Sequence, residues 1–133
     1  MPGPASSNQS VRIRVETLAD DGCGIVEAAH RQYLIDDVIP GETVVFRPTG
    51  KRRGRHVGLV ERLVDPSPYR VRPRCAHFGE CSGCRLQHIE PTHQLSIKKD
   101  MVLSQLSNVG VIPGEVHPVI PGPVWGYRRK ARL

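Results

Sequence analysis

The chain has 133 residues, with 13 glycines and 12 prolines but only six aromatic residues other than histidine, so turns are frequent and long helices scarce. No apolar run approaches the roughly 20 residues that span a bilayer, which excludes a membrane-spanning helix. The opening MPGPASSNQS has neither a basic nor an apolar stretch, so no secretory signal is read there and a cytoplasmic location is expected. Formal charge is +6 and unevenly spread: residues 1–46 carry net −4, residues 47–74 net +7 and residues 75–133 net +3. A basic block of this density is the footprint of a polyanion partner, or else the solvated tip of a loop.

Residues 1–10 are small and polar and are expected to be a disordered tail. From Val11 the chain alternates, with Val11, Ile13 and Val15 on one face and Arg12, Arg14 and Glu16 on the other, as in a half-buried strand. Asp20-Asp21-Gly22 supplies a turn. Short strands are expected at Ile25–Ala28 and Gln32–Ile35, and Ile39-Pro40-Gly41-Glu42 is another turn. Thr43–Pro48 is rich in strand formers, Lys51–Arg55 is a basic turn, and His56–Val64 is a fifth apolar segment. Five short strands in about 55 residues predict a small closed β-barrel over 11–64, since closure removes exposed edges.

Asp65-Pro66-Ser67-Pro68 reads as the start of a stiff linker, 65–72. A cysteine-rich loop follows, and residues 73–133 are expected to hold this loop and the truncated start of a central α+β domain. Pro91 opens a helix with Leu95, Val102, Leu106 and Val109 on one face and Gly110 as its stop. Val116–Ile120 and Arg128–Leu133 are read as strands, the second only begun when the chain stops, which suggests a fragment. The fold class is mainly β, with a smaller α+β part.

Three of the four cysteines crowd into one stretch, Cys75-Ala-His-Phe-Gly-Glu-Cys81-Ser-Gly-Cys84-Arg-Leu-Gln-His88. Clustered thiolates are soft donors, and a two-residue spacer lets two sulfurs face one centre. Two chemistries compete. A structural zinc would take His77 or His88 as fourth ligand. A [4Fe–4S] cluster would need a fourth cysteine, either Cys23 or one beyond Leu133. Cys23, between Gly22 and Gly24, reads as a small residue in a tight turn. His30, His56, His93 and His117 are scattered and read as surface or packing residues. The RNA-facing candidates of the barrel are Arg47, Lys51, Arg52, Arg53 and Arg55, with Tyr33 and Phe46 as aromatic platforms, Phe46 equally as core. A zinc-stapled RNA-binding module without enzymatic activity is the alternative function. A redox protein using Cys81 and Cys84 lacks the βαβ context such a motif wants.

The cysteine run, with Gln94-Leu95, Lys98 and Trp125-Gly126-Tyr127-Arg128-Arg129-Lys130-Ala131-Arg132-Leu133, resembles the bacterial RNA uracil-C5 methyltransferases, most closely their iron–sulfur 23S rRNA (uracil-5-)-methyltransferase group. Asp21-Gly22-Cys23-Gly24-Ile25 and Ile39-Pro40-Gly41-Glu42-Thr43-Val44 resemble the TRAM domain of such enzymes, an OB-like barrel. The resemblance implies that Cys75, Cys81 and Cys84 hold a [4Fe–4S] cluster whose fourth ligand lies beyond Leu133, and it leaves Cys23 without a role. It implies methyl transfer from S-adenosylmethionine to C5 of a uridine, with RNA, specifically 23S rRNA, as partner, no membrane contact and a monomeric state. The catalytic and S-adenosylmethionine-binding residues of the family belong to a C-terminal domain that nothing in residues 1–133 matches, so the chain alone is expected to be inactive.

Overall fold

The computed structural model describes residues 9–132. The expected tail falls largely on residues 1–8, outside the described residues. The chain divides into two compact units, one ending at Ile89 and one beginning at Glu90.

The first unit is a curled six-stranded sheet: β1 (Val11–Arg14), β2 (Thr17–Leu18), β3 (Gly24–Ala28), β4 (Arg31–Ile35), β5 (Thr43–Arg52) and β6 (Arg55–Asp65). The strand order is β1-β5-β6-β4-β3-β2. All pairings are antiparallel except β4 with β6, which is parallel. The two ends of this order, β1 and β2, are halves of one bent segment. β1 pairs with β5 and β2 with β3, so the segment 11–18 draws the sheet round on itself. At the bend, Val15 N–H donates to the Glu42 carbonyl at 2.8 Å and Gly41 N–H to the Val15 carbonyl at 2.7 Å. This connectivity, with one parallel pair and a shared first strand, is that of an OB-like barrel.

The alternation of the first strand holds: Val15 is fully buried and Val11 and Ile13 are half-buried, while Arg12 and Arg14 face solvent. The core gathers Val15, Val26, Tyr33, Ile35, Val38, Val44 and Phe46. Phe46 is wholly buried, and the Tyr33 ring lies 5.4 Å from it. Neither ring can serve as a stacking platform, which corrects that expectation. Both fall on inward positions of their strands, Tyr33 in β4 and Phe46 in β5, among the residues of the core. Close packing over Phe46 also explains Gly58, where an added Cβ would lie 2.5 Å from Phe46 Cδ2.

The β5–β6 strands run further than the sequence suggests. Lys51 pairs with His56 and Arg52 with Arg55, so the basic turn shrinks to Arg53-Gly54. Both have positive φ (52° and 78°), the two-residue geometry whose twist matches a hairpin. Ala29-His30 makes the same kind of turn between β3 and β4 without a glycine, at φ 49° and 59°.

In the second unit, α1 (Pro91–Asn108) starts at proline as expected. Glu90 caps it, accepting from the N–H groups of Thr92 and His93 at 3.2 and 3.1 Å. Gly110, at φ 79°, ends it, donating to the Ser107 carbonyl at 3.0 Å. The expected apolar face is only partly covered: Val102 and Val109 are exposed and Ile97 is the buried position. The strands expected at Val116–Ile120 and from Arg128 do not form. The described residues 112–132 contain no helix or strand. A strand needs a partner, and Pro113, Pro118, Pro121 and Pro123 remove the donors that would recruit one. No helix among the described residues is long and apolar enough to cross a membrane.

Candidate nucleic-acid interface and cysteine loop

The basic candidates concentrate at the β5–β6 hairpin. Lys51, Arg52, Arg53 and Arg55 are all exposed on its tip, while Arg47 sits half-buried at its base. Antiparallel pairing sets Arg52 opposite Arg55 and Lys51 opposite His56, so the three cations share one short stretch of the hairpin. Arg47 Nε donates to Glu61 Oε1 at 2.9 Å, and Ser10 Oγ donates to Glu61 Oε2 at 2.5 Å. Arg52 faces Asp36, with Nη1 3.5 Å from Oδ2. Lys51, Arg53 and Arg55 form no salt bridge among the described residues.

Behind the hairpin, Cys23 is 1% exposed, and its thiol donates to Asp36 Oδ1 at 3.0 Å. Burial pushes its pKa up to about 12, with Asp36 and Asp21 adding to the shift. Such a thiol is held protonated inside the folded barrel. The other three cysteines lie together, outside the barrel strands.

Those three, Cys75, Cys81 and Cys84, are all exposed on the loop that follows the barrel. The loop is pinned at its base. Val71 N–H donates to the His88 carbonyl at 2.9 Å, and Cys75 N–H donates to Gln87 Oε1 at 2.7 Å. Within it, the N–H groups of Glu80 and Cys81 both reach the His77 carbonyl, at 3.2 and 2.9 Å, and Gly79 turns the chain at φ 95°. Gly83 N–H points at Cys81 Sγ, 3.4 Å away.

The loop rests on the barrel through residues 36–38, just after β4, and through Gly22. His88 is buried, and its Nε2–H donates to the Val38 carbonyl at 2.9 Å, leaving Nδ1 enclosed without a partner among the described residues. Burial holds the His88 pKa below the ordinary imidazole value and so favours the neutral ring. Its Nε2 is committed to that backbone carbonyl, and the Phe78 ring lies 5.4 Å from the imidazole. The other histidine weighed as a ligand, His77, lies exposed on the loop and uses its backbone carbonyl as the internal anchor. Arg85, next to Cys84, brings Nη1 to 3.7 Å from Asp36 Oδ1. Its stem packs on Gly22, where an added Cβ would lie 3.1 Å from Arg85 Cβ.

The stretch after β6 is anchored as well. Glu42 is fully buried, and Arg70 grips it at both oxygens, Nε to Oε1 and Nη2 to Oε2, each at 2.7 Å. Ile39 N–H and Ser67 N–H complete the carboxylate's shell at 2.9 and 3.1 Å. Burial alone would push the Glu42 pKa up, but the Arg70 pairing and the two backbone N–H groups outweigh it and hold the pKa below its usual value.

Three thiols of one soft type on a single pinned loop match the donor chemistry of an iron–sulfur cluster or a thiophilic metal. Among the described residues no three His, Cys, Asp or Glu side chains close into a ligand set, so the loop offers donors without a finished sphere. The thiol spacing and the hairpin charge are readable in the sequence. The ion pairs of Asp36, Glu42 and Arg70 are not, because those partners lie 16 to 49 residues apart and carry no spacing signal.

No family model matches the chain. Curated relatives do. The chain is 40% identical over 129 residues to a 23S rRNA (uracil(1939)-C(5))-methyltransferase RlmD of Nitrosococcus oceani, covering 96% of this chain and 29% of that protein. It is 38% identical over 126 residues to the RlmD of Methylococcus capsulatus, covering 94% of this chain and 28% of the relative. The RlmD of Bordetella avium is 38% identical over 122 residues, covering 91% of this chain and 26% of the relative. The chain therefore spans between a quarter and a third of the length of the relatives it matches. Over nearly its whole length it is homologous to the N-terminal part of these RlmD-type 23S rRNA (uracil-C5)-methyltransferases.

Proposed function

We propose that this chain is the RNA-binding and cluster-bearing front part of an S-adenosylmethionine-dependent 23S rRNA uridine C5-methyltransferase acting in the cytoplasm. The observation that carries this reading is an OB-like barrel with an exposed cationic hairpin, followed directly by a three-thiol loop, in a chain homologous to such enzymes. The barrel is the TRAM-type module. Lys51, Arg52, Arg53 and Arg55 meet RNA phosphates at the hairpin tip, and Arg47 at its base stiffens it through Glu61. Phosphate contacts hold the strand without reading its sequence.

Cys75, Cys81 and Cys84 would hold a [4Fe–4S] cluster, with the fourth ligand supplied from outside this chain. Bound there, the cluster would cross-link the loop to the remainder of the enzyme. The chain's own residues prepare the site: His88 and Val71 fix the base of the loop, Gln87 orients Cys75, and the His77 carbonyl sets the turn that presents Cys81. Uridine activation by a catalytic cysteine at C6, and methyl transfer to C5, fall to the rest of the parent enzyme. This chain alone is then inactive and serves to bind and place the RNA. The test is anaerobic purification of the parent enzyme, followed by iron and acid-labile sulfide assays. Brown protein holding iron and sulfide in equal amounts is expected; colourless protein with stoichiometric zinc would overturn the cluster assignment.

A further inference from the structure

One carboxylate stands between the two functional parts of the first unit. Asp36, just after β4, has Oδ2 3.5 Å from Arg52 Nη1 and Oδ1 3.7 Å from Arg85 Nη1. Arg52 belongs to the cationic hairpin and Arg85 follows Cys84 in the thiol loop. The Cys23 thiol donates to Asp36 Oδ1 at 3.0 Å from below, and Arg52 Nη2 lies 3.6 Å from the same sulfur. The group is half-exposed: the side chains of Asp36, Arg52 and Arg85 each retain close to half their accessible surface. An RNA phosphate arriving at Arg52 therefore meets an anion already in place.

We propose that Asp36 is a positioning residue that partitions between Arg52 and Arg85, so that RNA engagement of the hairpin and placement of the cysteine loop are coupled through one carboxylate. The inference rests on the proposal that the hairpin binds RNA. When phosphate takes Arg52, Asp36 is released to Arg85 and draws the Cys84 end of the loop toward the barrel. When the loop holds Arg85 against Asp36, Arg52 is freed for RNA. Coupling of binding free energies is reciprocal, so each event favours the other. Both pairs are solvent-accessible, which limits the effect to about two- to fivefold in affinity.

The experiment measures binding of the full chain to a single-stranded oligouridylate by fluorescence anisotropy across a salt series. It compares wild type with Asp36→Asn, Arg52→Ala and Arg85→Met, and with the pairs D36N/R52A and D36N/R85M. Asn preserves the acceptor for the Cys23 thiol, and Met preserves the stem that packs on Gly22. Melting temperatures establish that each variant is folded. Asp36→Asn should tighten binding about two- to fivefold, and that gain should vanish when Arg52 is absent. Arg85→Met should weaken binding, and that loss should vanish in the D36N background. A D36N gain that persists without Arg52 would reduce Asp36 to bulk charge and overturn the proposal. An R85M loss that persists with D36N would make Arg85 a direct phosphate contact and overturn it equally. If Arg52→Ala leaves affinity and salt slope unchanged, the hairpin reading itself fails, a result distinguishable from both.

Discussion

Replacing Arg70 with alanine should unfold the anchor between the barrel and the segment after it. Arg70 makes three hydrogen bonds of 2.7 Å, two to the Glu42 carboxylate and one to the Asp37 carbonyl. Breaking a buried ion pair by removing one partner costs about 3–5 kcal/mol, because a charge is left without compensation. Glu42 keeps the N–H groups of Ile39 and Ser67, and Arg70 is itself a quarter exposed, so the lower end, about 3 kcal/mol, applies. In a domain of this size that lowers the melting temperature by roughly 10–20 °C. The loss should depend on pH in a defined direction. Glu42 has its pKa held below the ordinary value of 4.5 in the folded protein, so its pairing contributes stability above that value and loses it as pH falls further. The difference between wild type and Arg70→Ala should be full at neutral pH and shrink below about pH 4.5. Thermal unfolding followed by circular dichroism at neutral and acid pH measures both. A variant that melts within two or three degrees of wild type at neutral pH (roughly half a kcal/mol) would refute the anchor.

Gly58→Ala should cost about 1–3 kcal/mol, since its Cβ would lie 2.5 Å from Cδ2 of the fully buried Phe46 ring; denaturant unfolding measures this. Alkylation of the native metal-free chain, read by peptide mass spectrometry, should label Cys75, Cys81 and Cys84 and spare Cys23 until the protein is unfolded, because only Cys23 is buried and has its pKa raised to about 12.

The barrel was legible because its signals are local. Alternation from Val11 to Val15 fixed an inward face, and turns at Asp20–Gly22 and Ile39–Glu42 set the spacing. The bend that makes β1 and β2 share the closure was not legible, since it depends on Val15 bonding to the backbone at Gly41 and Glu42. The Ala29-His30 turn escaped notice because neither residue type advertises positive φ. Tyr33 and Phe46 show how type misleads without orientation: an aromatic ring in a basic barrel suggests stacking, while its strand position decides that it is core. Val102 and Val109 show the converse limit, for helical periodicity names a face but does not supply a layer to cover it. At the site, the thiols were readable from spacing and the hairpin from charge. The pairing of Asp36 with both Arg52 and Arg85, like the Arg70 grip on Glu42, arises only when distant segments meet.

The most direct test of the account is the salt dependence of RNA binding when Arg52 and Arg53 are both replaced with alanine. Each neutralised phosphate contributes roughly 0.7 to the slope of log affinity against log salt on a single strand. The double variant should bind oligouridylate and unrelated single strands about equally more weakly, and its slope should flatten by roughly 1.4, two phosphates' worth. An unchanged affinity and slope would reduce the hairpin to a solvated tip and contradict the account.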